Sequence, residues 1–300
     1  MRVILALIAI VTCSDAQDYN VVADVQYCTG GGKALLMDVF VPRKRVRTLT
    51  PAVLWLHGGG WERGDKNGSS GARFLASAGF VTASIYYRLS GEAKFPAAIE
   101  DCKCAIRYLR ANAAKYQLDR ERIGIAGASS GGHLALLAGL AGEKAGLEGA
   151  GGWQGVSSRV SAVASYYGPT DLTAIRTDFG ARAQAAITKL IGAAPQDSAA
   201  AYRQASPITY VSPGAKLPIL MIHGDGDTLV PFAQSKRMLD AALGAGLPAK
   251  LTKVENANHD FEPVDRNKPL SIAIEEIHSI TVEFFKKYLT QPGVAAGRQQ

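Results

Sequence analysis

The chain has 300 residues, 47% of them hydrophobic and 20% charged, an ordinary globular composition that excludes disordered, collagen-like and multi-span membrane chains. Its 33 lysines and arginines against 26 aspartates and glutamates leave a net charge of +7, with no run of five or six basic residues, so composition points to no nucleic-acid partner. The one local cluster, Arg43-Lys44-Arg45 with Arg47, reads as a solvated loop.

Arg2 is followed by nine apolar residues, Val3 to Val11, and then by small and polar residues ending at Ala16. That is the build of a secretory signal peptide over residues 1–16, with small residues at Ser14 and Ala16 for cleavage, and it predicts a secreted or periplasmic protein. Nine residues cannot cross a bilayer core that needs about 20, so no stable membrane span is expected. Cys13 raises a lipoprotein alternative, but Thr12 before it is larger than such a signal prefers. Removing Cys13 leaves Cys28, Cys102 and Cys104, which allow at most one disulfide. Cys102 and Cys104 are two apart on a predicted helix and face different ways, so the reading is buried small hydrophobes rather than a metal pair.

Residues 24–28 and 35–41 read as two strands around Gly30-Gly31-Gly32, a starting hairpin closed by Pro42. Short apolar runs at 52–56 and 80–86 flank a short helix at 72–78. After them come a helix over 96–116, a strand at 122–126, a small-residue helix at 130–142, and strands at 160–166 and 217–222. A helix at 232–243, a strand at 249–254 and an amphipathic helix at 271–289 complete the series. Apolar strands alternating with helices indicate one α/β domain with a parallel sheet covered on both faces. Two stretches break the alternation, glycine-rich 142–158 and alanine-rich 170–213, and segments of that length read as functional loops or small lids.

Gly127-Ala128-Ser129-Ser130-Gly131 follows a predicted strand and opens a predicted helix, the context that G-x-S-x-G requires. It offers Ser129 as a nucleophile, with Ser130 as the alternative in the shifted frame. His57-Gly58-Gly59-Gly60-Trp61 ends the third strand, where glycines let backbone N–H groups face a cleft as an oxyanion hole does. His57 itself is expected to hold that loop. A serine nucleophile needs a base and an acid, in the chain order Ser, Asp or Glu, then His. His223 comes too early for that order and His278 suits a solvated helix face, which leaves His259, in the loop after the last strand. Asp225 and Asp227 both lie in the loop closing the preceding strand; a paired-carboxylate metal site is the other reading of them.

Several segments together resemble the α/β-hydrolase fold of the esterase/lipase type, and most of all the branch of bacterial feruloyl esterase-like and acetyl-xylan-type carboxylesterases. They are His57-Gly58-Gly59-Gly60-Trp61 with Gly64-Asp65-Lys66, Tyr87-Arg88-Leu89-Ser90, Phe95-Pro96-Ala97-Ala98-Ile99-Glu100-Asp101, Gly131-Gly132-His133-Leu134-Ala135, Tyr167-Gly168-Pro169-Thr170-Asp171-Leu172 and Ser206-Pro207-Ile208. The resemblance implies a mostly parallel sheet of about eight strands with helices on both faces and short lid loops over residues 17–290, followed by a flexible tail at 291–300. It selects Asp227, four residues after His223, as the acid, and assigns the oxyanion N–H groups to Gly59, Gly60 and Ser130. Around His259 the match is looser, since Asn258 stands where the family has glycine and Asp260 follows the histidine.

The implied function is a secreted serine ester hydrolase acting through Ser129, Asp227 and His259, without metal or organic cofactor, on a small-molecule or polysaccharide-linked ester. Trp61 is expected to contact substrate, and Tyr86, Tyr87, Trp153, Tyr166 and Phe179 are further candidates for an aromatic pocket. The alternatives are an arylformamidase-like amidase, a serine peptidase of the prolyl oligopeptidase type and a non-catalytic binding member of the fold.

Overall fold

In the computed structural model, residues 18–44, 49–68 and 70–290 are described. The candidate signal peptide with Cys13, the tail at 291–300, and Arg45 and Arg47 of the basic cluster lie outside the described residues. Eight strands form one sheet: β1 (Tyr19–Gly30), β2 (Lys33–Pro42), β3 (Thr50–Leu56), β4 (Val81–Ile85), β5 (Leu118–Ala128), β6 (Ala162–Tyr166), β7 (Ile219–Gly224) and β8 (Ala249–Val254). Their order is β1-β2-β4-β3-β5-β6-β7-β8. β1 and β2 pair antiparallel, and β2 pairs antiparallel with β4. From β4 to β8 every pairing is parallel.

Parallel strands need crossovers, and helices supply them. Ser70–Ser77 is α1, Ala97–Ala111 α2, Ala113–Tyr116 α3, Ser130–Leu140 α4, Ala233–Gly244 α8 and Ile274–Leu289 α9; between β6 and β7 lie α5 (Ile175–Asp178), α6 (Ala181–Ile191) and α7 (Ala199–Gln204). The central strands are apolar throughout because both sheet faces are covered. Ala52, Leu54 and Leu56 of β3 pack in one core with α2, α4 and α8, whereas Val53 and Trp55 pack with α1 and α9 in the other. That is the two-residue period of a strand read against two layers. α4 is buried from Ser130 to Ala138, as a helix apolar on every side must be.

Three expectations are corrected. The lid expected as short loops is helical: 170–213 carries α5, α6, α7 and two 3-10 turns, and its alanines favour helix. It is tied down at its start, by Arg237 to Asp178 (2.9 Å) and Asp171 (3.5 Å), and at the end of α6, by Phe95 N–H donating to the carbonyl of Leu190 (2.8 Å). Segment 142–158 is no lid but a strap across α2. Buried Lys103 and Arg107 both pair with Glu148, at 2.7 and 2.8 Å, and Trp153 Nε1 donates to the carbonyl of Tyr27 (2.7 Å). Beside that strap, Cys28 of β1 and Cys104 of α2 form a disulfide, so only Cys102 remains the buried small hydrophobe expected of these cysteines. Sequence separation hid the pair, because only the sheet edge brings β1 against α2.

Candidate active site

The C-terminal ends of β3, β5, β7 and β8 converge on one cleft. At the end of β5 the chain turns sharply into α4, with Ser129 at φ 54°, ψ −119°, a strained conformation for a residue with a Cβ. Small neighbours permit it. A Cβ on Gly127 would lie 2.5 Å from the Gly131 backbone, and one on Gly131 would lie 2.2 Å from the carbonyl oxygen of Leu56.

Ser129 Oγ lies 2.9 Å from His259 Nε2, and His259 Nδ1 lies 2.7 Å from Asp227 Oδ2. With the proton on Nδ1 donated to the carboxylate, Nε2 is left as an acceptor facing the hydroxyl. Ser130 of the alternative frame has a buried side chain, and His259 reaches Ser129 instead. Asp225 is exposed and takes no part in this chain of contacts. Asp227 is buried, and its Oδ1 accepts from the N–H groups of Leu229 (2.9 Å) and Val230 (2.8 Å). Burial pushes its carboxyl up, but hydrogen bonds from His223 and His259, the nearby imidazole charge and the Val230 N–H outweigh that and hold it far below the usual carboxylate range.

Several residues that support this arrangement escaped the sequence reading. Buried His223 lies 3.2 Å from the same Oδ2, its Nε2–H also donating to the carbonyl of Val230 (2.8 Å) while Nδ1 meets the Ser235 hydroxyl (2.7 Å). Asn258, the departure from the family pattern, ties the two loops together. Its Oδ1 accepts from the N–H groups of Thr228 (3.0 Å) and His259 (2.8 Å), a bridge that the usual glycine has no side chain to make. Tyr167 packs its ring 4.7 Å from that of His259. The signal for such partners was absent, since hydrogen bonds between distant loops leave no spacing in sequence.

Gly59 and Gly60, with φ of +116° and +64°, line the cleft beside Ser129 and Ser130. A side chain at Gly59 would meet the Arg63 carbonyl oxygen at 2.1 Å, so only glycine fits this turn. Among the described residues no backbone carbonyl accepts from the Gly59 or Gly60 N–H, and Ser130, first in α4, has no intrahelical acceptor for its own. His57 holds the loop, its Nδ1–H donating to the Gly58 carbonyl (2.7 Å) and its ring stacked 4.2 Å from that of Tyr87.

Trp61 lines the cleft, yet its indole is buried and donates through Nε1 to His133 Nδ1 (3.2 Å). The other ring nitrogen of His133 donates to the carbonyl of Ala205 (2.7 Å). Burial pushes His133 down to about 4, so it is neutral at pH 7 and can accept from Trp61. Trp61 is thus a strut between loop, α4 and cap as well as a wall. Of the other aromatic candidates only Phe179 reaches the cleft; Tyr87 and Tyr166 are core, Trp153 belongs to the strap, and the Tyr86 hydroxyl donates to Glu92. His278, expected on a solvated face, is half-buried and stacks on Phe74 at 4.1 Å. The cleft measures about 530 Å³, counting space open to solvent, and its further walls are Pro169, Ala183, Ala186, Ile187, Leu229 and Val230, with Glu62, Arg63 and Arg182.

The family model BD-FAE matches residues 37–243. Esterase LipC of Mycobacterium tuberculosis is 31% identical over 279 residues, covering 87% of this chain and 66% of LipC. Esterase LipQ of the same organism is 31% identical over 243 residues, covering 80% of this chain and 57% of its own length. The chain therefore spans about two thirds or less of these relatives. Among solved structures, a truncated carbohydrate esterase from gut microbiota superposes with a TM-score of 0.78 at 29% identity, covering 92% of this chain and 99% of that one. A bifunctional GH43-CE protein of Bacteroides eggerthii follows with 0.76 at 32%, covering 89% and 38%.

Proposed function

Because the chain belongs to the BD-FAE family and has the α/β-hydrolase fold of esterases, we propose that it is a serine carboxylic-ester hydrolase working through Ser129, His259 and Asp227. The observation that carries this is the unbroken path from Ser129 Oγ through the imidazole to the carboxylate, at 2.9 and 2.7 Å. Ser129 attacks the ester carbonyl while His259 Nε2 takes its proton. The oxyanion that forms is held by the N–H groups of Gly59, Gly60 and Ser130, each such donor contributing about 3 kcal/mol in the transition state. His259 then returns the proton to the leaving alcohol, and water repeats the sequence on the acyl-enzyme. Asp227 keeps the imidazole in the tautomer that accepts at Nε2.

The substrate class we propose is an ester carried on a small molecule or a carbohydrate, of the feruloyl or acetyl-xylan kind. The likeness to a carbohydrate esterase and the apolar wall of Phe179, Ile187 and Leu229 support it. Secretion is part of the proposal: the apolar stretch after Arg2 suits export, and a disulfide between Cys28 and Cys104 suits an oxidising compartment. Export is tested by the N-terminal sequence of the protein recovered outside the cytoplasm, where a chain still beginning at Met1 counts against it.

The decisive experiment compares Ser129→Ala with Ser130→Ala on acetyl, butyryl and feruloyl esters and on a formyl amide. Ser129→Ala is expected to cut kcat by roughly 10⁴- to 10⁶-fold, and Ser130→Ala far less, because only its backbone N–H is used. The reverse order, or faster cleavage of the amide than of the esters, defeats this reading.

A further inference from the structure

Two cations in the cleft have no partner among the described residues. Arg63, on the loop after β3, and Arg182, in the first turn of α6, both line the wall that Ser129 shares. Both are exposed, and among the described residues neither makes an ion pair or a side-chain hydrogen bond. Arg237 pairs with Asp178 and Asp171, and Glu62, the one carboxylate on the cleft wall, is taken by Lys189 at 2.8 Å. Among the described residues the cleft thus keeps two uncompensated guanidinium groups, with the apolar surface of Phe179, Ala183, Ala186 and Ile187 in the same wall. A hydrocarbon wall with two free guanidiniums fits a ligand that is apolar along its length and anionic at one end. The net charge of +7 adds a long-range attraction of the same sign preference.

We propose that this site selects esters bearing a carboxylate, which Arg63 and Arg182 recognise while Ser129 attacks the ester carbonyl. The proposal rests on the esterase reading above and narrows its substrate class. The carboxylate can sit on the acyl half, as in a dicarboxylic acid monoester, or on the alcohol half, as in an acylated hydroxy acid or uronic acid. The recognition chemistry is the same, and separate substrates distinguish the two.

The test uses matched pairs. For the acyl half they are mono-p-nitrophenyl succinate and p-nitrophenyl butyrate, with spontaneous hydrolysis subtracted; for the alcohol half, 4-acetoxybenzoate and 4-acetoxybenzamide. The reading is the ratio of kcat/KM, charged over neutral, in the wild type, Arg63→Gln, Arg182→Gln and the double variant, so that intrinsic reactivity cancels. In one of the two pairs the ratio is expected to fall roughly tenfold in the double variant, and to fall in the wild type as salt rises from 0.05 to 0.5 M, with Arg182→Lys keeping part of the preference; the salt range is about a threefold change in screening length. Ratios that the variants and salt leave unchanged in both pairs overturn the proposal even if the neutral esters are hydrolysed well. Calorimetric binding of monophenyl succinate and phenyl butyrate to the Ser129→Ala protein separates it from the parent reading. A charge preference in Kd that Arg182→Gln removes upholds the carboxylate site even if the wild type hydrolyses none of the esters, an outcome that would sink the esterase reading alone.

Discussion

A serine hydroxyl is a poor nucleophile at neutral pH until a base stands within hydrogen-bond reach, and which aspartate orients that base was the least determined point at the residue scale. Asp225 and Asp227 are two residues apart in one loop, so spacing did not separate them; the family pattern did, and the geometry places Asp227 Oδ2 2.7 Å from His259 and leaves Asp225 in solvent. Asp227→Asn is expected to lower kcat by about 10⁴-fold, as loss of a tautomer-fixing carboxylate does, and Asp225→Asn by little; equal losses, or rescue by added divalent metal, would mean the loop binds a cation. His133 carries a second prediction. Its pKa is about 4 in the folded protein against about 6.5 unfolded, because burial disfavours the charged ring. The unfolded chain therefore binds the extra proton first as pH falls. The neutral ring's contribution is complete above about pH 6.5 and declines towards pH 4, by about 3 kcal/mol in all. Urea midpoints measured between pH 7 and 4.5 should drop in the wild type and drop less in His133→Gln. An identical slope in both proteins would show that His133 is not the group responsible.

At the scale of elements, α2 is where charge and covalent chemistry meet. It was legible as a helix from apolar spacing at Ile99, Ile106 and Leu109, but not what it holds, because Lys103, Arg107 and Cys104 read in isolation as surface charges and a small hydrophobe. In the fold they are buried and face Glu148 and Cys28, residues 41 or more positions away. Burying two cations is costly without a counter-ion, which is why the glycine-rich strap returns across the helix to present Glu148. The disulfide closes a separation of 76 residues, so its loss frees much chain entropy in the unfolded state. The double replacement Cys28→Ser with Cys104→Ser is expected to lower stability by about 2 to 4 kcal/mol and Tm by roughly 5 to 10 °C, with hydrolysis at 25 °C retained because the bond lies away from the cleft. Loss of activity without loss of Tm would reveal an unexpected link between strap and site.

On the scale of the whole molecule, the cap supplies one wall of the cleft. Asp178 and Asp171 anchor its beginning on Arg237, and α6 then contributes Ala183, Ala186 and Ile187 to the wall of the cleft that Ser129 shares. Arg237→Ala is expected to raise KM for feruloyl esters several-fold while lowering kcat less, measured against acetyl esters that need less of the wall; equal effects on both would show that the cap does not shape the acyl site. By itself the sequence determined the doubly covered α/β sheet, since continuous apolar strands and amphipathic helices are local patterns, and it singled out Ser129 as the candidate nucleophile and the glycine turn of 58–60, since a strained elbow and a tight loop admit few residue types. It also narrowed the base to His259 through chain order. Only the tertiary structure decided where the cap sits, the Cys28–Cys104 bond, the strut from Trp61 to His133 and the bridge made by Asn258. Each of these joins residues whose meeting depends on how strands are ordered in the sheet and not on any spacing along the chain.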